Sequence, residues 1–562
     1  MLKIPYGISD YKKLRDGNYY YVDKTMYLEK LEQIGDVLFY LRPGRFGKTL
    51  FTSMLYYYYD VKSKDEFKCL FKDTYVYNHP TNNKNNYYIL KLDFSNITSS
   101  DKSKEELEKE FKNKLVNGFE RFNEYYNVSI EVEFNNSPNG MLLEFLSGFN
   151  SLDVEHKLYI LIDEYDNFTN AILEGEGDRF KGIVGNEGFV KSFYAVIKEY
   201  CGLGIVDRVF ITGICPITLD SMTTGFNIAT DISTDIRFNS MIGLTHEEVK
   251  ILIQDIDLKK QEEIFDLMVK NYDGYLFNYK SSSRVFNATL VMYFLKNYYD
   301  FNEIPEQLLD SNIAFNYGKV ENLLKLQNNK YYQEILDTIL KTETITGQLK
   351  VKFNLNDDFT RDDIISLLYY FGYLTIKAKN FGGTLDFCIP NQMMKELYSN
   401  YFIKILSSIP VIFDDNRRVE AIKEIVLDGK LDKISKYVET ILKKSDNRIF
   451  MKIDEKFIQA LYFGLLINSS EFRIYNEYQT SNGYIDLMLL KSSEICKYDI
   501  MIELKFLKVK EFRRNRKLLD VKREEAIHQL KSYAEDDRID KSTLRKYVVI
   551  FVGSKLSILE EV

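Results

Sequence analysis

Four short, unbroken apolar runs in the first half of the chain set the strongest limit on what it can fold into: Asp36-Val-Leu-Phe-Tyr-Leu41, Tyr87-Tyr-Ile-Leu-Lys-Leu92, Leu158-Tyr-Ile-Leu-Ile162 and Arg208-Val-Phe-Ile-Thr212. Runs of this kind read as strands buried on both faces, and the segments between them are long enough for helical crossovers. An α/β domain with a mainly parallel sheet is expected over residues 1–242. The whole chain, 562 residues with 45% hydrophobic content, is too long for one core.

The pattern changes near residue 243. Gly243-Leu-Thr245-His-Glu-Glu248 has the form of a capping box, with Thr245 as N-cap and Glu248 reaching back, and opens a helical lid region over 243–345. Within 346–410, the stretch Ser366 to Ile376 reads as a helix turning into a strand, as in a winged-helix-like module. Residues 411–450 alternate charged and apolar positions at helical spacing, which predicts a connector. The segment 451–562 reads helix, strand, strand, strand, helix, strand.

Several classes are disfavoured. No apolar run is long enough to cross a bilayer and the N-terminus lacks a signal-peptide stretch, so a cytoplasmic protein without membrane association is expected. Its five cysteines are scattered without any Cys-x-x-Cys, which indicates neither a zinc ribbon nor a disulfide framework. A net charge of -8 confines any nucleic-acid contact to a local patch.

Gly47-Lys48-Thr49 follows the first strand and precedes the helical run from Leu50, the context a phosphate-binding loop requires. Backbone N–H groups and the helix N-terminus would face the phosphates, Lys48 would supply charge, and the Thr49 hydroxyl would ligate Mg²⁺. The loop residues Arg42, Gly44, Arg45 and Phe46 complete the candidate ATP site. The first glycine of the usual spacing falls at Arg42, and Gly44 is expected to replace its conformational freedom. The run ending in Ile162-Asp163-Glu164 places two acids at a strand end, Asp163 for the metal and Glu164 for the attacking water. Thr212 stands where a γ-phosphate sensor would, and Arg237 is the candidate arginine finger.

Near the other end, Asp486 on one strand and Glu503-Leu-Lys505 on the next have the form of a metal-dependent phosphodiesterase. Two carboxylates can hold Mg²⁺ or Mn²⁺, and period-two alternation puts Lys505 on the face of Glu503. From Lys505 to Arg523 there are nine Lys or Arg against two acids, among them Arg513, Arg514 and Arg516, a candidate backbone-binding patch.

Together, Tyr21-Val-Asp-Lys-Thr25, Leu41-Arg-Pro-Gly-Arg-Phe-Gly-Lys-Thr49, the Asp163-Glu164 strand, Ile211-Thr-Gly213 and Asn271-Tyr-Asp-Gly-Tyr275 resemble the bacterial AAA-ATPase-like family that carries a C-terminal PD-(D/E)XK nuclease domain. The resemblance covers nearly the whole chain. It implies a P-loop AAA-like ATPase core, then a restriction-endonuclease-like α/β domain, and makes the altered loop the usual form. It also implies a further metal-binding acid at Glu455, opening the nuclease helix. Gln459 stands where relatives often have His, and Tyr484 where an arginine is common. The Gln529/Tyr533 pair, one turn apart, resembles an accessory motif of exonuclease-like relatives. The expected activity is ATP hydrolysis coupled to cleavage of nucleic acid, DNA foremost, in defence or DNA processing. The alternative is a nucleotide-dependent switch or DNA-binding ATPase that binds without cutting. Relatives that assemble as rings make a homo-oligomer an expectation too.

Overall fold

The computed structural model describes residues 3–95, 97, 103–167, 189–216, 226–256, 260–305, 308, 331–353, 359–407, 414–444, 453–467, 469, 471–493 and 495–562. The chain divides into two compact units, Met1–Tyr332 with Ile345–Gln392, and Gln333–Thr344 with Met393–Val562. The segment read as 346–410 is thus shared between the units. The limits expected near 410 and 450 fall outside the described residues.

In the first unit the apolar runs form β1 (Val37–Leu41), β2 (Tyr87–Asp93), β3 (Lys157–Asp163) and β4 (Val206–Gly213), joined by the short β5 (Thr230–Asp231). The order is β2-β3-β4-β1-β5, every pairing parallel. Every residue of β1 is buried, and all of β3 beyond Lys157, because helices such as Lys48–Tyr59 and Phe189–Gly202 bring their own apolar residues to the sheet. All strands therefore end on one edge of the sheet, and β4 separates the loop after β1 from the acids after β3.

Thr245 caps the helix His246–Asp255 through the expected box: its hydroxyl accepts from Glu248 N and Glu248 returns to Thr245 N. Further on, the helix Arg361–Tyr370 turns into β7 (Thr375–Lys379), which pairs antiparallel with β8 (Leu385–Cys388) in a three-stranded sheet completed by β6 (Thr344–Gly347). Gly274, within the Asn271–Tyr275 motif, holds this region together by what it lacks. Its φ is +102°, and a Cβ there would lie 2.1 Å from the Pro390 carbonyl oxygen. Gly274→Ala is expected to destabilise the first unit by roughly 3 kcal/mol, from left-handed strain plus overpacking, read as a lower first calorimetric transition.

In the second unit a five-stranded sheet runs β13-β12-β11-β10-β9, from β9 (Phe472–Thr480), β10 (Gly483–Lys491), β11 (Asp499–Leu507), β12 (Leu544–Val552) and β13 (Lys555–Glu561). Only β11 and β12 are parallel. On one face Leu487, Ile502 and Val549 pack with the helices Asp415–Asp428, Asp432–Lys444 and Glu455–Leu466; on the other, Met501 and Val548 meet Ala526 and Leu530 of the helix Leu518–Tyr533. Two elements add to the expected order: the helix Val509–Arg514 and the strand β13. The helix buries none of its residues, and β13 is half-exposed along the edge, so neither leaves a clear apolar period. Among the described residues no helix is long and apolar enough to cross a membrane.

Candidate nucleotide and nuclease sites

The loop after β1 turns through two left-handed residues, Arg45 (φ 66°) and Gly47 (φ 105°). The freedom expected of Gly44 is therefore used one and three residues later. Gly47 caps the helix Lys48–Tyr59, whose first N–H groups open toward a cleft of about 370 Å³. Lys48 is buried at its edge, with Nζ donating to the carbonyls of Arg42 (2.8 Å) and Pro43 (2.9 Å). Burial draws its pKa below the usual lysine value, opposed by the carboxylates of Glu164, Asp166 and Asp163.

Those acids sit at the end of β3. Asp163 is buried and accepts the Thr212 hydroxyl at 2.5 Å, so the residue expected as a phosphate sensor already orients the candidate metal acid. Glu164 adopts φ 52° and lines the cleft; burial raises its carboxyl pKa, and Asp163, Asp166 and Asp93 add to what Lys48 opposes. Asp166, which sequence reasoning missed, accepts from Ile214 N (3.0 Å) and Cys215 N (2.7 Å) and bolts the acid turn to the end of β4. The only signal for it was its place three residues after Asp163.

Arg42 takes part in the loop through its carbonyl, which accepts from Lys48. Its guanidinium turns into the core, donating to the carbonyls of Leu41 (2.8 Å), Ser233 (2.6 Å) and Phe238 (2.8 Å), with the rings of Tyr40 and Phe277 at 4.3 and 3.9 Å. Phe46 likewise anchors the loop, its ring edge-on to Tyr275 at 4.9 Å. Thr289 braces it from the start of another helix, donating through N–H (3.3 Å) and hydroxyl (2.6 Å) to the Arg45 carbonyl. Arg42→Met is expected to destabilise the first unit by about 2–4 kcal/mol by stranding buried carbonyls, while the protein that remains folded binds nucleotide as before. Titration at low temperature separates the two effects.

In the second unit, β10 and β11 pair only from Leu487–Ile502 to Leu489–Ile500 and then part. The N–H groups of β11 beyond that point are taken by carboxylates: Leu504 N donates to Asp486 Oδ2 (2.8 Å) and Phe506 N to Glu455 Oε2 (3.1 Å). Glu503 and Lys505 lie on one face, as alternation requires, and form a buried ion pair at 2.7 Å. Burial raises both the Asp486 and Glu503 pKa values well above the usual carboxylate range. Glu455 adds to each, and Asp486 is the second cause for Glu503. Glu503 Oε2 is buried without a hydrogen-bond partner.

That orphaned oxygen is what a bound cation would satisfy, and the donors are all oxygen, which fits Mg²⁺ or Mn²⁺. Among the described residues, however, no group of three or more His, Cys, Asp or Glu could hold a metal ion. The expected acids Glu455, Asp486 and Glu503 are thus not gathered into one such group. In the second unit Asp486 and Glu455 each spend one oxygen on an N–H of β11, and Glu503 spends one on Lys505.

Residues 5–223 match the family model described as Predicted AAA-ATPase, and residues 453–561 match the model of the PD-(D/E)XK nuclease superfamily. The chain joins an AAA-ATPase-like domain to a PD-(D/E)XK domain. Over 260 residues it is 25% identical to an uncharacterized protein from the vnfD 5′ region of Azotobacter chroococcum mcd 1, covering 44% of each chain. The chain thus spans under half of that relative's length.

Other candidates fall around these domains. In the PD-(D/E)XK domain Gln459 Nε2 donates to the Asp486 carbonyl (2.7 Å), fixing the backbone at the splay, while Tyr484 is exposed. Gln529 Nε2 donates to the Tyr533 hydroxyl (3.3 Å), so the pair shares a helix face as read. Arg513, Arg514 and Arg516 are exposed in the segment following Lys505. In the AAA-ATPase-like domain Arg237 lies on the short turn Ile236–Phe238, and its Nε and Nη2 grip Asp235 at 3.0 and 2.6 Å. The cleft is completed by Tyr21 of the Tyr21–Thr25 motif and by Tyr6, Tyr20, Met241 and Met292, aromatic and thioether groups that no motif announced.

Proposed function

We propose that this protein hydrolyses ATP in its first unit and cleaves nucleic acid, DNA foremost, in its second. The observation that carries the nuclease reading is the buried, unpartnered Glu503 oxygen beside Lys505 and Asp486, at the point where two strands part. An apolar buried site would not retain three ionisable groups without a task for them.

In this reading Lys48 and the helix N-terminus hold the nucleotide phosphates, Thr49 and Asp163 take Mg²⁺, Thr212 orients Asp163, and Glu164 accepts a proton from the attacking water. Asp486 and Glu503 hold Mg²⁺ or Mn²⁺, and Lys505 neutralises charge at the scissile phosphate. The cation supplies Lewis-acid charge and a lowered water pKa when bound. Arg513, Arg514 and Arg516 contact the backbone, and Gln529 with Tyr533 supports them. A cytoplasmic role in defence or DNA processing, and assembly of several copies, agree with this reading; Arg237 would have to release Asp235 to act across a subunit boundary.

A second reading is a nucleotide-dependent switch that binds DNA without cutting it, favoured by the Glu503–Lys505 ion pair and the engagement of Glu455. Incubation of linear and circular DNA with Mg²⁺ or Mn²⁺, with and without ATP, separates the two. Cleavage that Lys505→Ala abolishes supports the nuclease; equal degradation by both proteins defeats it.

A further inference from the structure

A second concavity lies in the first unit and shares no lining residue with the cleft at the phosphate loop. It has a volume of about 700 Å³ and is lined by Lys62, Lys91, Asp93, the helix Lys104–Tyr126 and the ring of Tyr56. The helix contributes Lys114, Arg121 and Tyr125, spaced by seven and four residues and hence on one stripe. From β2, Lys91 and Asp93 reach it by alternation. Four cations thus face two carboxylates, Asp93 and Glu124. Among the described residues Lys91, Lys114 and Arg121 form no ion pair.

The aromatic part is held in place from behind. Asp60, fully buried, accepts the hydroxyls of Tyr125 (2.8 Å) and Tyr126 (2.7 Å), and Lys62 lies 5.2 Å over the Tyr125 ring. Tyr125 keeps 39% of its surface exposed, and Tyr56 stands 6.1 Å from it. A phenol fixed at its hydroxyl end presents a ring that loses little freedom on stacking. Unpaired cations beside fixed rings in a cavity of this size match a phosphate ester that carries a base.

We propose that this concavity binds a nucleotide-class ligand, its phosphates on Lys91, Lys114 and Arg121 and its base against Tyr125. The same chemistry is offered by a free nucleotide and by one nucleotide of a single strand. Lys114 and Arg121 are surface residues of a long helix, so their replacement leaves the fold intact.

The test uses the full chain with Lys48→Ala, which silences the phosphate loop, in chelator so that no strand is cut. The probes are mant-ADP and a fluorescein-labelled oligothymidylate, with inorganic pyrophosphate as competitor. Saturable binding of both probes is expected, one more tightly than the other, displaced by pyrophosphate and weakened at least about tenfold by Lys114→Ala with Arg121→Ala. Tyr125→Leu should weaken both probes and spare pyrophosphate. A preference for mant-ADP identifies a free nucleotide as the source, and a preference for the oligonucleotide identifies a strand. If neither probe responds to the Lys114/Arg121 pair, the proposal is overturned. Should Lys48→Ala leave two mant-ADP sites, the phosphate-loop reading fails, and the same pair still reads this cavity.

Discussion

A Lys48→Ala protein should turn over ATP at least about a hundredfold more slowly than the unmutated chain, the scale on which removal of one preorganised charge at a reacting oxygen acts. The argument rests on where the lysine is kept. Its ammonium group is buried and held by two carbonyls of its own loop, facing the Asp163–Asp166 turn across the end of the sheet. Low dielectric strengthens whatever it meets there, and phosphates arriving at the helix N-terminus would exchange those neutral carbonyls for full negative charge. Nucleotide affinity should fall with turnover. Some stability should be lost too, because alanine leaves the buried Arg42 and Pro43 carbonyls without their donor, though removal of a desolvated charge offsets part of that cost. A steady-state phosphate-release assay with a parallel thermal scan reads both quantities. Unchanged turnover would sink the phosphate-loop reading, and a collapsed midpoint would show Lys48 to be a strut.

For Asp486→Asn the expected result has two opposite signs. Cleavage should drop at least about a hundredfold, since a carboxylate that would hold the cation is gone. Stability in chelator should rise by about 1–2 kcal/mol, because desolvation disfavours the Asp486 charge and the asparagine oxygen can still accept from Leu504 N–H. Added Mg²⁺ or Mn²⁺ should then stabilise the unmutated second unit by up to about 2.7 kcal/mol at a hundredfold excess over Kd, and the variant far less. The cation-dependent midpoint shift tests metal binding without any substrate. An equal shift in both proteins would remove Asp486 from the metal site, whatever the cleavage assay shows.

The parts of the fold legible in the sequence were those governed by local pattern. Buried strands announce themselves as apolar runs, and Thr245 with Glu248 spells its cap in four residues, because the contacts involved lie within one turn or one strand. Glu503 and Lys505 could be paired from alternation alone. What the sequence hid depends on residues far apart. Nothing near Arg42 says that carbonyls at Ser233 and Phe238 will claim its guanidinium, and nothing near Asp166 says that the end of β4 will need a carboxylate. The parting of β10 from β11 is likewise a tertiary event: Asp486 and Glu455 substitute for a missing strand partner, each through one carboxylate oxygen.

Because β11 and β12 run parallel, the chain must cross over between them, and that crossover, residues 508–543, carries the arginines and the Gln529–Tyr533 helix. It leaves β11 just after Lys505 and enters β12 beside Asp499, at the other end of the strand, and between these points Ala526 and Leu530 are buried against Met501 and Val548. Substitution that spares the sheet is therefore confined to the exposed stretch around Arg513, Arg514 and Arg516, where the helix Val509–Arg514 buries none of its residues.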